Sequence, residues 1–307
     1  MNIRIIVLLS AFAAFFLPFA YGENNPAPAA AQAATAARRG ALYKVRHHGH
    51  TVYLFGTIHV GLPAFFPLEE QVTQALARAD SLVLELDVRQ NEPFQAALHR
   101  HGLYADGDSL AHHLSPDNLS NLQRTLERFD IQFEQVAMMK PWLVTNLLLS
   151  LDLERQGYQR RDGIEFFLLN HARTKAVLEL ESAEYQMSLF DGLSDTDQEQ
   201  YLRENLAELE QGEARKKARA LIDAWASADG DAQERLLREW LAEQTLSARF
   251  TQRVLLDQRN PEMADKIAAL LQREKTAFVA VGLLHLLGEN GVPALLRRRG
   301  FEVEKLY

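Results

Sequence analysis

The chain has 307 residues, 47% of them hydrophobic and 24% charged, which is enough for one large domain or two ordinary ones and too apolar for a disordered protein. Its 41 acidic residues against 33 basic ones give a net charge of −8, which argues against nucleic acid as a partner and against a polybasic membrane patch. Cysteine is absent, so thiolate nucleophiles, cysteine-rich zinc sites and disulfide frameworks are excluded, and chemistry must come from histidine, carboxylates, hydroxyls or a metal.

The first residues read as an address. Arg4 precedes an apolar run from Ile5 to Phe19, broken only by Ser10 and Pro18, and Ala20-Tyr21-Gly22 supplies small residues where a signal peptidase cuts. A run of about 15 residues is short of the roughly 20 that span a bilayer. The expectation is a signal peptide over 1–22, export to the periplasm or the medium, and no stable membrane anchor after cleavage. Residues 23–40, rich in Ala and Pro without an apolar period, are expected to form a flexible linker, with the folded part a single domain over 41–307.

The segment from Ala41 to Thr57 predicts a hairpin about a His- and Gly-containing turn. Pro67-Leu68-Glu69-Glu70 predicts a helix start with Pro at its first position. The run from Ser81 to Val88 predicts a strand with Leu82, Leu84 and Leu86 on one face and Val83, Glu85 and Asp87 on the other. Helical insertions are expected over about 91–160, including a helix capped at Ser115 and another after Pro141, and over about 190–257, with Thr196 and Glu199 at capping-box spacing. Between them lies a strand in KAVLELES. Asn260-Pro261 predicts a cap and first position for the next helix, followed by strand TAFVAVG, loop, helix GVPALLRRRG and a last strand.

The two ends share one plan: apolar strand, Gly-x-x-His, loop, helix beside Pro, strand. The first copy has Gly56 and His59, the second Gly282 and His285. This predicts an α/β (α+β) fold, a mixed central sheet built from two pseudo-symmetric strand-GxxH-helix-strand units, with the glycines allowing tight turns and the histidines brought to one site. Two imidazoles need carboxylates to hold a cation, and the candidates are Glu85 and Glu181, each in or just after an apolar strand. Taken singly, each histidine is equally a hydrogen-bonded strand-end residue, Glu85 an acid on a solvent-facing edge strand, and Glu181 a helix-start acid. The triplet His47, His48 and His50 reads as a polar turn, His112-His113 as surface loop, and Arg297 to Arg299 as complements to a helix C-terminus.

YLFGTIHVG, LVLELD, KPW at 140–142, DGIEFFLLNHA, LESAEYQ at 180–186, DQRNPEMADKI and VGLLHLLGENGVPALLRRRGFEVEKL occur in this order, and together they resemble the TraB/GumN family. That family is related to the Tiki-type metalloproteases and more distantly to the erythromycin-esterase and ChaN-like proteins. The resemblance implies a metal-dependent hydrolase fold in which His59, His285 and Glu85 are functional, with Glu181, Glu184 and Gln186 from the LExxExQ motif and Arg259 with Asn260 from the later one. It implies a divalent cation, Mn, Co or Zn, and a peptide or protein substrate. In the resulting expectation His59, His285 and one of Glu85 or Glu181 hold the cation, the other Glu is the general base, and Arg259 steadies an oxyanion or a substrate carboxylate. Gly56, Gly282, Glu184, Gln186 and Asn260 support the site, with Asn260 mainly a helix cap. The alternatives are a non-catalytic binder of a peptide, metal or haem, and an accessory role in exopolysaccharide production that only the GumN name suggests.

Overall fold

The computed structural model describes residues 37–307, so the leader expected over 1–22, and the linker up to residue 36, lie outside the described residues. Strands β1 (Leu42–His47) and β2 (His50–Thr57) form the expected antiparallel hairpin, turning at His48 and Gly49, both with positive φ. Helix α1 (Glu70–Arg78) leads to β3 (Ser81–Leu84). Pro67 stays outside α1, because the chain is still extended at Glu69, whose carboxylate receives the Tyr307 hydroxyl at the far end of the chain.

Helices α2 (Asn91–Gly102), α3 (Pro116–Arg128), α4 (Pro141–Arg155) and α5 (Ile164–Ala172) precede β4 (Ala176–Glu179). A second helical run follows: α6 (Ala183–Asp191), α7 (Asp195–Gln211), α8 (Glu213–Ala226), α9 (Gly230–Leu241) and α10 (Leu246–Phe250). The cap of α7 is Ser194, whose Oγ accepts from the Asp197 N–H, and not Thr196. Glu199 instead accepts from the Ser115 N–H at the start of α3. A π-helical stretch (Thr251–Gln258) joins α10 to α11 (Arg259–Arg273), then β5 (Thr276–Gly282), a 3-10 turn (Leu283–Leu286), α12 (Val292–Arg298) and β6 (Glu302–Lys305). No helix among the described residues is long and apolar enough to cross a membrane.

One six-stranded mixed sheet runs in the order β4-β3-β5-β2-β1-β6, which is the α/β architecture expected. The strands of the two GxxH copies, β2 and β5, are parallel neighbours at its centre, with Thr57 opposite Gly282. From β2 the chain crosses over β5 to reach β3; from β5 it crosses over β2 and β1 to reach β6. Right-handed crossovers travelling in opposite directions place their helices on opposite faces, and α1 packs against α5 while α12 packs against α11. All four residues of β3 are buried, so the expected alternation of a buried and an open face is absent. The reason is its interior position: a parallel strand between two others, covered on both sides, has no solvent face.

Two apolar clusters result. One surrounds the sheet and takes in Leu54, Phe55, Phe278, Ile267 and Trp225. The other is helical, with Trp142, Phe190, Leu202 and Phe250. Trp225 of α8 bridges the helical run to the sheet, because its indole N–H donates to the Gly56 carbonyl at 2.8 Å and its own carbonyl accepts from the Gly40 N–H at 2.6 Å. Trp225→Phe keeps one aromatic ring but removes the indole donor and the volume of the five-membered ring, leaving the Gly56 carbonyl short of a partner and a small void in a dry environment. The expected loss is about 1–3 kcal/mol, read as a lower urea midpoint with unchanged slope.

Candidate functional site

The site lies at the C-terminal ends of β2, β3 and β5, where an α/β sheet delivers backbone ends and loops together. Glu85 follows β3 directly and Glu181 follows β4. Their backbones continue the strand pairing, the Leu180 and Glu181 N–H groups donating to the Leu84 and Glu85 carbonyls at 2.8 and 3.0 Å. Parallel pairing therefore sets two carboxylates side by side in a buried place, an arrangement that needs a cation.

Arg259 supplies it. Its Nε donates to Glu181 Oε1 at 2.9 Å, and its Nη2 donates to Glu181 Oε2 and Glu85 Oε2, each at 2.7 Å. The side chains of Arg259 and Glu181 are 5% and 2% exposed, so this network is dry. Burial opposes the charge on Arg259, yet the Glu85 and Glu181 carboxylates outweigh it and raise its pKa further. Gln186, one turn into α6, donates through Nε2 to Glu181 Oε2 at 2.7 Å and reaches Glu85 Oε2 at 3.4 Å. Glu184 points away: it is half exposed and pairs with Arg100 and His101 of α2. On α6 the i, i+3 and i, i+5 spacings from Glu181 face different neighbours, and only Gln186 turns inward.

The other oxygen of Glu85 faces the two histidines. Glu85 Oε1 accepts from the Gly282 N–H at 2.5 Å and stands 3.7 Å from His285 Nε2. A Cβ placed on Gly282 would meet Glu85 Oε1 at 3.3 Å, His59 Nε2 at 3.6 Å and the His285 ring at 3.7 Å. Three groups from separate strand ends thus surround the one point that the missing side chain leaves clear. Neither Gly56 nor Gly282 has positive φ, so the tight-turn role expected for them is not the one observed. What they permit is close approach, since a Cβ on Gly56 would strike Leu283 Cδ1 at 2.8 Å.

Each imidazole is held by its Nδ1. For His59 the partner is Glu165 of α5, at 2.9 Å, which also accepts from Thr57 Oγ1 at 2.5 Å. The Ile164 N–H donates to the Ile58 carbonyl, which docks the start of α5 on the end of β2 and brings Glu165 into place. Glu165 was not singled out from the sequence, although a lone acid within the apolar run Ile164 to Leu169 is a visible signal. For His285 the partner is Asn260 Oδ1, at 2.6 Å, and Asn260 Nδ2 donates to the Asn290 carbonyl at 2.8 Å. A carbonyl can only accept, so Nδ2 must face Asn290 and Oδ1 must face the ring. The proton of neutral His285 is then on Nδ1 and its Nε2 lone pair faces Glu85. Asn260 is consequently not a helix cap: helical backbone enters from the π segment without a break, and the side chain orients His285 instead.

These surroundings drive the imidazoles apart. Burial lowers the basicity of both. For His59 the Glu165 carboxylate overcomes it and raises the pKa to about 9. His285 has burial and the Arg259 charge against it and falls to about 3. Burial disfavours the Glu85 carboxylate, but the positive charge around it, Arg259 and His59 included, outweighs that and lowers its pKa. Among the described residues no group of three His, Asp or Glu side chains closes to metal-holding separation. The donors around Gly282 have the right chemistry and their outer partners in place, and closing on an ion requires Glu85 Oε1 to exchange its bond to the Gly282 N–H.

Two outcomes follow for the metal-free protein. NMR titration should place His59 near 9 and His285 near 3. Between pH 6.5 and 3 the unfolded state gains a proton at His285 that the folded state does not, so stability falls as the solution is acidified, and Glu85 extends the fall below pH 4.5. His59 acts in the opposite sense, its contribution present below pH 6.5 and lost as pH rises towards 9, reduced by the 30% exposure of its ring. Separately, Glu181→Ala leaves a buried guanidinium half-paired and should cost about 3–5 kcal/mol in chemical denaturation.

Comparison with known proteins places this arrangement in a family. The uncharacterized protein YbaP of Escherichia coli (strain K12) is 28% identical over 260 residues, covering 80% of this chain and 87% of that protein. An uncharacterized protein of Treponema pallidum (strain Nichols) is 22% identical over 267 residues, covering 84% and 80% of the two chains. Metalloprotease TIKI1 of Danio rerio is 46% identical over a short stretch of 57 residues, 18% of this chain and 12% of that protein. No solved structure matches. The model of the TraB/PrgY/gumN family matches residues 41–305, from the first strand to the last, and the chain belongs to that family.

Proposed function

We propose that the protein is an exported metal-dependent hydrolase acting on peptide bonds, with His59, His285 and Glu85 holding a divalent cation. One observation carries the reading: two imidazoles from separate strand ends, each fixed at Nδ1 by the protein, gather with one carboxylate oxygen around a glycine that has no side chain to crowd them. A lone pair on His285 Nε2 facing Glu85 Oε1 across 3.7 Å is unfavourable unless something positive lies between them. The short likeness to a metalloprotease supports peptide as the substrate class. The apolar, singly charged leader supports export.

A bound divalent cation would supply Lewis acidity towards a carbonyl and acidify a water. The chain's own groups do the rest. Glu165 and Asn260 hold the imidazole rings in orientation and fix which nitrogen carries the proton. Arg259 holds Glu85 at one oxygen, so the other keeps a constant aim. Glu181, clamped by Arg259 and Gln186, positions Arg259 and is enclosed from solvent, so in this reading it is neither ligand nor general base. His59, at 30% exposure, is the member of the set that solvent reaches.

The pairing of both Glu85 and Glu181 with Arg259 also fits a second reading, a protein that binds a peptide or metal without turnover. Full-length protein, assayed for bound metal and for cleavage of a peptide library with added manganese, cobalt or zinc, separates them. Metal-dependent cleavage that Glu85→Gln abolishes is the hydrolase result; binding without turnover is the other. Equal metal binding by wild type and a His59→Ala/His285→Ala double variant would sink both metal readings. Gly282→Ala puts a methyl where the donors converge, and the expected result is a Tm close to wild type with metal affinity reduced at least tenfold in calorimetry.

A further inference from the structure

Two histidines at the seam between the first helical insertion and α6 with α7 take no part in the scheme above. His101, in the last turn of α2, points both ring nitrogens at α6: Nδ1 stands 2.9 Å from Asp191 Oδ2, and Nε2 stands 2.9 Å from Glu184 Oε1. His113 ends the 3-10 turn Leu110–His113, with Nε2 2.9 Å from Asp108 Oδ2 and Nδ1 3.4 Å from Asp195 Oδ2 in the first turn of α7. An ionised carboxylate accepts and cannot donate, so a ring with carboxylates at both nitrogens needs both protons to make both bonds. The neutral ring keeps one bond and turns a lone pair on the other acid. Both rings are mostly enclosed, at 13% and 22% exposure, so water only partly replaces a lost bond.

The rest of the seam has the same division of charge. Arg100 also meets Glu184, and Lys140, at the start of α4, also meets Asp191. His112 shares Asp108 with His113, and the Tyr104 ring stacks on His113 with centroids 4.2 Å apart. At the start of α3 the Ser115 N–H and Asn118 Nδ2 donate to Glu199 of α7, which the Arg203 charge also reaches. Asp108 and Arg203 apart, cations and donors lie on the 91–160 side and acids on the side of α6 and α7.

We propose that His101 and His113 form a proton-operated latch, which fastens the 91–160 insertion to α6 and α7 in mild acid and slackens as the surroundings turn alkaline. The helix it holds matters to the site, because α6 carries Gln186, which donates to Glu181 and reaches Glu85. The titration of the partners has the required sign. Burial opposes the charge on His113, yet Asp108 and Asp195 outweigh it and raise its pKa, so its contribution is complete below pH 6.5 and is lost as pH climbs through the folded value. Hydrogen bonds from His113 and His112 hold Asp108 near 2, and those from His101 and Arg100 lower Glu184, so the acids remain ionised in mild acid.

His59 loses its own contribution over the same alkaline range, so the test is local and differential. Hydrogen exchange of the full-length protein, corrected for intrinsic rates, is followed at about pH 5.5 and about pH 8.5. In wild type, α2, α6 and the first turns of α7 should lose roughly threefold or more of their protection at the higher pH, relative to β2 and β5. In His101→Gln/His113→Gln, whose side chains do not titrate, that relative loss should disappear, and Tm should fall about 2–4 °C below wild type at the lower pH only. Glu184→Gln/Asp195→Asn, at half-exposed and exposed positions, removes one partner of each ring and should at least halve the response; it keeps the test decisive if the histidine variant does not fold. No relative loss in wild type, or a loss as large as wild type in either double variant, overturns the proposal.

Discussion

Two carboxylates at the ends of adjacent parallel strands cannot both be buried and ionised without a cation between them, and Arg259 is that cation. Much of the site depends on it. Its guanidinium spans the sheet end from Glu181 after β4 to Glu85 after β3, and the second oxygen of Glu85 reaches the Gly282 N–H at the end of β5. Three strand ends are thereby tied through one side chain, and its positive charge depresses the basicity of His285 nearby.

The helix that carries Arg259 is shaped for this task. The π-helical stretch before it runs into α11 with helical backbone throughout, and Pro261, which has no N–H to give, sits just inside the new helix. Residues 259 and 260 are buried, the first aimed at the carboxylates and the second at His285. Asp257, in the π turn, accepts from Asn290, whose carbonyl in turn receives Asn260. The loop after His285 is thus held from both ends of one helical turn.

The duplication and most of the site residues were legible in the linear order of motifs. His59 and His285 recur at matched places in two copies, and Glu85 and Glu181 stand out as acids next to apolar strands, a pattern that local chemistry alone makes visible. What stayed hidden depends on partners remote in the chain. Asn-Pro before a helical run is a cap in most settings, and only a π segment feeding in from upstream turns Asn260 into a histidine partner. The alternation in Ser81 to Asp87 reads as a half-open strand until β4, β5 and covering helices close both faces. Glu165 belonged to a quoted motif, but its role needs the docking of α5 on β2. Pro67 and Thr196 show the smaller version of the same limit, since equally good local signals lost to Glu69 and Ser194, each two residues away.

The pairing of β2 with β5 is offset by one residue, so that Thr57, and not Gly56, lies opposite Gly282. The two copies are therefore not equivalent where they meet: one imidazole leans on an acid and the other on an amide. A strictly symmetric pair would compete for protons on equal terms and change its joint charge near neutrality. The Glu165 carboxylate raises the pKa of the first ring, whereas burial and the Arg259 charge lower that of the second. A cation entering between them would meet a free lone pair on His285 and would have to displace a proton from His59, so loading of the site would depend on pH through one ring and not the other.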